Sequence, residues 1–329
     1  MRQAKIKKLF NDKSALVIAL ALVVLAVLPW VLSGYWVRLL THVFMFAVLA
    51  KAIDLMMGFI GYVPFGNVVF FGLGAYSAGI SMSAGFNFFP AMLVGILVSA
   101  VVCVVFGTPV LRLRGHYFAV ATVGLNGAIM AIALNATGLT GGAMGIIFPV
   151  IEGDPATANR IFYFAMMGMM IIAVLINIII VKSRMGFAIR SIKSNEDAAR
   201  SLGINTTFYK TFTWMINAAI TGTTGAIYGY WMGYISTTDV FNLMISVSSI
   251  LMVLLGGIGT ILGPIVGAFI FQVLSEVIWS QFINLHTGIL GLITIFVILF
   301  LPRGILTGIR EMIKERKGLI SKKAVNSND

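Results

Sequence analysis

Residues 184–210, RMGFAIRSIKSNEDAARSLGINTTFYK, form the longest polar break in a chain that is otherwise almost continuously apolar. Ser194 followed by Asp197 reads as an N-cap with an acidic third residue. Glu196 and Asp197 then lie in a first helical turn, where carboxylates suit the positive end of the helix dipole. Glycine at C′ ends helices, and Gly203 stands in that place. The pattern predicts a helix of about eight residues, roughly 12 Å long. Ala198, Ala199 and Leu202 fall on one side of it, a low face suited to a groove on a soluble partner. The plainer alternative is a capped surface helix with no partner.

What flanks this break sets the class. Hydrophobic residues make up 59% of the chain and charged residues only 10%, against roughly 25% charged in ordinary soluble domains. Apolar blocks of about 20 residues recur, as spanning helices require. An outer-membrane barrel would instead show alternation over about ten residues. The chain reads as an all-α polytopic integral membrane protein with ten candidate spans, 14–33, 37–57, 62–83, 88–111, 116–136, 161–181, 211–234, 243–260, 262–282 and 286–301. Gly256, Gly257, Gly259, Gly263 and Pro264 interrupt the pair at 243–282.

The net charge of +12 would suggest a nucleic-acid partner in a soluble protein. Here Lys and Arg cluster at the ends of apolar blocks and orient them in the lipid bilayer, so no nucleic acid is expected. With the N-terminus in the cytoplasm and spans alternating, Arg112, Arg114, the basic residues from Lys182 to Lys210 and those from Arg303 to Lys323 all fall inside. Glu152, Asp154 and Asp239 fall outside, as do Arg38 and Arg160. Both termini are then cytoplasmic. The expected organisation is a basic N-terminus at 1–13, a transmembrane domain at 14–301 that includes the cytoplasmic loop 182–210, and a basic tail at 302–329. The run after the basic N-terminus is too long for the core of a signal peptide and reads as an uncleaved first span.

No enzyme constellation emerges. His42, His116 and His286 sit in different segments without metal-ligand spacing, the single cysteine, Cys103, has no partner in the chain, and no G-x-x-x-x-G-K-[ST] loop occurs. No cofactor or metal is expected, and any ATP that drives the protein is hydrolysed by another chain. Lys51 and Asp54 are three apart and pair on a helix, as a structural ion pair or as a proton relay. Glu276, costly in lipid, faces the bundle or a cavity, through a structural hydrogen bond or as a path-lining group. Asn67, Asn126, Asn177, Asn217 and Gln272 are expected to glue helices together more often than to bind substrate. Gly58, Gly61, Pro64 and Gly66 mark either a discontinuous helix beside a translocation path or an ordinary tight turn. Candidate path residues are Asn67, Phe70, Phe71, Tyr76 and Glu276. With so few intramembrane charges, the expectation is a smooth, weakly selective conduit.

Asp197-Ala198-Ala199 with Gly203 resembles the coupling-loop signature of ABC importer permeases, Glu-Ala-Ala, three residues, then Gly, with Asp197 in place of the Glu and no following Leu-Pro. Five further stretches agree in chain order: GYVPFGNVVFFGLGAYSAG, TPVLRLRGHYFAVATVGL, LTGGAMGI, LLGGIGTILGPIVGA and LFLPRGIL. Together they are similar to bacterial branched-chain amino acid ABC permeases of the LivM type, over roughly residues 50–308. Ala143 stands where the family's glycine-rich motif usually carries Pro.

The resemblance implies one of two permease subunits in a bacterial cytoplasmic membrane, paired with a LivH-type partner, two cytoplasmic ATPases and an extracytoplasmic substrate-binding protein. It implies that Glu196, Asp197, Ala198, Ala199, Leu202 and Gly203 couple the chain to an ATPase. The same machinery carrying urea, short amides or another small solute is an alternative, as is an ion-driven secondary carrier using Asp54 and Glu276.

Overall fold

The computed structural model describes residues 12–149 and 153–281, together with positions 288, 291 and 292. The expected span 286–301, the tail 302–329 and residues 1–11 lie outside this set, apart from those isolated positions. Helix α1 covers Asp12–Val31 and α2 covers Gly34–Met57. They are followed by α3 (Val68–Ser83), α4 (Phe88–Val110) and α5 (His116–Asn135). The short α6 (Thr137–Thr140) and a 3₁₀ turn (Gly142–Met144) lead to strand β1 (Ile146–Ile147) and then to α7 (Pro155–Lys182). The polar break holds α8 (Arg184–Ser194) and α9 (Glu196–Ser201). Next come α10 (Thr206–Met232), β2 (Tyr234–Ile235), α11 (Thr237–Val240), α12 (Leu243–Gly256) and α13 (Gly263–Gln281).

Among the described residues, five helical stretches are long and apolar enough to cross a membrane, and Leu20–Val31, Val68–Ser83 and Gly263–Ile278 are shorter apolar helices. Each expected span from 14–33 to 262–282 coincides with a helix. The largest difference is at 62–83, where the helix starts only at Val68. Pro64 and Gly66 hold residues 58–67 out of helical geometry, and α3 is left at roughly 24 Å, short of a hydrocarbon layer of about 30 Å. The non-helical stretch is largely buried, and side chains of neighbouring helices take up backbone amides at its end. Gly66 N donates to Thr122 Oγ1 at 3.1 Å and Val68 N to Ser246 Oγ at 2.8 Å. A broken backbone at this depth persists only when covered in this way.

Helix α10 is the centre of the bundle, packed against α3, α4 and α2. Lipid is as apolar as leucine, so close contact rather than expulsion of water holds such helices together. A Cβ on Gly74 would overlap the backbone of Gly222, one on Gly225 the carbonyl of Phe71, and one on Gly95 would come within 2.9 Å of Gly74 O. Helices α3, α4 and α10 therefore cross backbone to backbone. Phe70 and Phe118 stack edge-on against the fully buried Trp214 beside this crossing.

Connections sort to two ends. At the far end, β1 and β2 pair antiparallel, Ile146 with Ile235 and Ile147 with Tyr234. Tyr35 donates to Glu276 there. At the other end lie residues 58–67, 111–115, 183–205 and 257–262. Lys51 and Asp54, both wholly buried, pair at 2.9 Å. Asp54 also accepts from Gly259 N at 2.7 Å, and Lys51 donates to Thr260 O at 3.0 Å. The ion pair thus pins the glycine-rich break between α12 and α13 to the end of α2.

Candidate functional site

The polar break folds into two short helices with a sharp corner between them. Gly186, Ala188, Ile189 and Ile192 give α8 one buried face. Asn195 turns the chain in extended geometry, φ −162° and ψ 112°, and its side chain accepts from Ala198 N at 3.0 Å. Asn195 therefore caps α9. Ser194, the residue expected in that role, ends α8 and donates back to Arg190 O at 3.1 Å. Helix α9 has six residues instead of about eight. Gly203, at φ +84°, closes it, with Gly203 N on Arg200 O and Ile204 N on Ala199 O. These are the two bonds of a Schellman ending.

Glu196 points back into the protein. Its carboxylate accepts from Tyr62 Oη at 2.7 Å and Lys210 Nζ at 2.8 Å, with Arg114 and Arg200 at 3.8 and 3.5 Å. Lys210, nearly buried, also donates to Leu111 O at 2.8 Å and lies 4.8 Å from the centre of the Tyr62 ring. Asp197 faces solvent and takes a bidentate pair from Arg114 at 2.7 and 2.9 Å. Desolvation opposes ionisation of Glu196, but hydrogen bonds from Lys210 and Tyr62 and the charges of Lys210 and Arg114 outweigh it and hold its carboxyl below the ordinary range. The Arg114 hydrogen bond, then its charge, does the same for Asp197. Lys193 adds a bond to Gly58 O at 2.6 Å. One loop therefore holds the ends of α2, α4 and α10 together.

The expected low face is split. Ala199 is buried at 2% exposure, whereas Ala198 is exposed and Leu202 is 82% exposed. Six residues make barely two turns, and Ala199 is the one that seats α9 on the bundle. Phe187 joins Leu202 on the outward surface. Phe187, Tyr62 and Lys193 were not read as site residues from the sequence, and Arg114 and Lys210 entered there only as charges on the inner side. Lys210 carried a readable signal, a lone cation beside an apolar helix, but its partners lie far away in the chain.

The path candidates do not converge. Asn67 and Phe71 line one crevice between α2, α3, α10 and α12. Phe70 is fully buried against Trp214, Tyr76 shares a 2.8 Å hydrogen bond with Thr237 and stacks on Phe241, and Glu276 sits at the far end with Tyr35. Asn126 donates to Phe241 O, bridging elements as glue, while Asn177 donates within its own helix to Ala173 O.

Comparison with known proteins places this framework. Residues 35–298 match the family model for the branched-chain amino acid transport system permease component. The chain is 26% identical to the high-affinity branched-chain amino acid transport system permease protein LivM of Salmonella typhimurium and to that of Escherichia coli, covering 91% of this chain and 76% of each relative. It is also 26% identical to the autoinducer 2 import system permease protein LsrC of Yersinia pestis, over 70% of this chain and 66% of that protein. No solved structure matches. A match across most of the chain, with the glycine crossing and the capped loop built from the matched residues, leads to one conclusion: this protein belongs to the branched-chain amino acid transport system permease-component family.

Proposed function

We propose that the chain is a membrane-embedded permease subunit of an ATP-binding-cassette importer for branched-chain amino acids. In this reading it spans a bacterial cytoplasmic membrane ten times with both termini inside. It pairs with a second, LivH-type permease, takes its power from two ATPases and receives cargo from an extracytoplasmic binding protein. The observation that carries the reading is the 184–205 element. Leu202, Phe187 and Ala198 are turned outward at one end of the bundle while Glu196 and Lys193 tie the same element to three spanning helices. Apolar side chains exposed beyond the membrane suit a groove on a soluble partner. Their rigid attachment lets movement of that partner reach α10, and closure of the ATPases and opening of the path then bias each other reciprocally.

The LsrC match supports a second cargo class on the same frame, since that relative is named for import of autoinducer 2. Reconstitution of the transporter in proteoliposomes with its binding protein decides between them. ATP-dependent leucine, isoleucine or valine uptake is the expected result. Uptake of another solute alone, or uptake driven by an ion gradient without ATP, overturns the assignment.

A further inference from the structure

We propose that the notch between the α1–α2 corner and the start of α7 binds the phosphate group of a membrane phospholipid. Pro29, Leu32 and Val37 belong to one wall of the notch, and Ala156, Asn159 and Arg160 to the other. It holds about 50 Å³ of space that water can enter, and a single water occupies roughly 10–15 Å³ of such space. A group several waters in size, such as a phosphate, is therefore admitted.

Arg160 is one of the two cations that the proposed topology leaves on the outer side, against the trend of the chain. Its Nε donates to Pro29 O at 3.3 Å, and its guanidinium carbon lies 6.0 Å from the centre of the Trp30 ring. Those contacts hold the side chain between α7 and α1 and use one of its N–H groups. Among the described residues neither Nη atom has a hydrogen-bond partner and no carboxylate pairs with Arg160. What is left is the planar fork that grips two phosphate oxygens.

Ala156, Asn159 and Arg160 share one face of α7, at spacings of three and four. That helix has 28 residues, and Ala158 N donates to Asp154 O in its first turn. The amides of Ala156 and Thr157, ahead of that bond, have no partner among the described residues, and this positive end of the helix favours a phosphate. Asp154 gives no side-chain cap and is exposed. Asn159 has no described side-chain partner and adds a donor to the same wall.

A lipid headgroup and free phosphate present the same group, and the surroundings of the notch favour the lipid. Leu20, Val23, Val24, Val27 and Val31 are exposed along α1, an apolar strip against which an acyl chain can lie. Trp30, Tyr35 and Trp36 are exposed beside the notch, and such aromatic residues gather at headgroup depth. Basic pockets between spanning helices hold lipid headgroups. The proposal needs the membrane-spanning frame and is independent of the cargo.

The test uses the purified transporter complex in detergent, stripped of bound lipid, with native mass spectrometry and thermal unfolding as readouts. Arg160→Gln should weaken binding of phosphatidylglycerol roughly tenfold, the worth of one hydrogen bond to a charged group. Asn159→Asp, which sets a negative charge beside the phosphate, should weaken it as well. Arg38→Gln, which removes the outer cation that does not line the notch, should leave the affinity within twofold. Phosphatidylglycerol should raise the thermal midpoint of the unsubstituted complex, and millimolar inorganic phosphate should not. Affinity unchanged in both Arg160→Gln and Asn159→Asp, or lowered as much by Arg38→Gln, overturns the site. A midpoint rise with inorganic phosphate equal to that with lipid overturns the lipid as occupant.

Discussion

Replacing Glu196 by Gln removes the carboxylate from Lys210 and leaves the rest of the network standing. The Lys210 and Glu196 side chains are only 4% and 9% exposed, so the cation left behind is close to fully buried. Breaking such a pair from one side costs about 3–5 kcal/mol. Leu111 O and Tyr62 Oη stay within bonding distance of Lys210, which puts the expected cost at the lower bound, about 3 kcal/mol, or a roughly hundredfold rise in loop opening. Amide hydrogen exchange of residues 196–204 in the membrane-embedded protein measures this directly, because opening of that segment exposes the Schellman bonds. Lys210→Met should show a similar loss, and the double variant should recover about 1–3 kcal/mol relative to the sum of the two. The acid limb carries a sign. Glu196 is held below its ordinary value near 4.5, so its stabilisation is complete above that pH and is lost as pH falls through the lowered value. Glu196→Gln should abolish that part of the pH dependence. Unchanged exchange in either single variant, or strict additivity in the double, would refute the idea that this pair fastens the loop.

Other substitutions separate docking from folding. Leu202→Arg, on an exposed side chain, should leave stability within about 0.5 kcal/mol yet lower the solute imported per ATP hydrolysed, whereas Ala199→Arg should unseat α9 and raise its hydrogen exchange. Gly203→Pro, whose ring cannot adopt φ +84°, should loosen the loop without removing the protein from the membrane, as read by exchange and membrane fractionation. Gly222→Leu should separate α10 from α3 and α4 and lower the thermal midpoint well beyond the effect of Leu97→Ala on an exposed face. In a Cys103→Ala background, Thr157→Cys should react with an impermeant reagent from outside and Ser194→Cys only after permeabilisation; reaction of both from one side refutes the proposed topology.

Spans, their breaks and the Lys51–Asp54 pair were legible because each is a local signal: apolar length, glycine clusters, a spacing of three. Gly203 was legible for the same reason. The cap was misread by one residue because Ser194 and Asn195 are both capping types, and the choice depends on where α8 ends. Helix α8 itself was readable from Gly186, Ile189 and Ile192 at helical spacing. The Glu196 cluster was not, since Tyr62 and Arg114 are 134 and 82 residues away from it in sequence. Which of Asn67, Phe70, Phe71, Tyr76 and Glu276 share a wall depends on helix rotation, and an all-round apolar helix carries no stripe from which rotation can be read.

The backbone contact among Gly74, Gly95 and Gly222 has a mechanical consequence. The three backbones touch directly at this crossing, so a stiff α10 that tilts turns about that point. From Gly222 the helix runs 16 residues to Thr206 and 10 to Met232, lever arms of roughly 24 and 15 Å. A tilt that moves the Thr206 end by about 2 Å swings the opposite end the other way by about 1.3 Å, by the same rise per residue. The loop end is the long arm, so a partner seated there works with leverage on the far mouth.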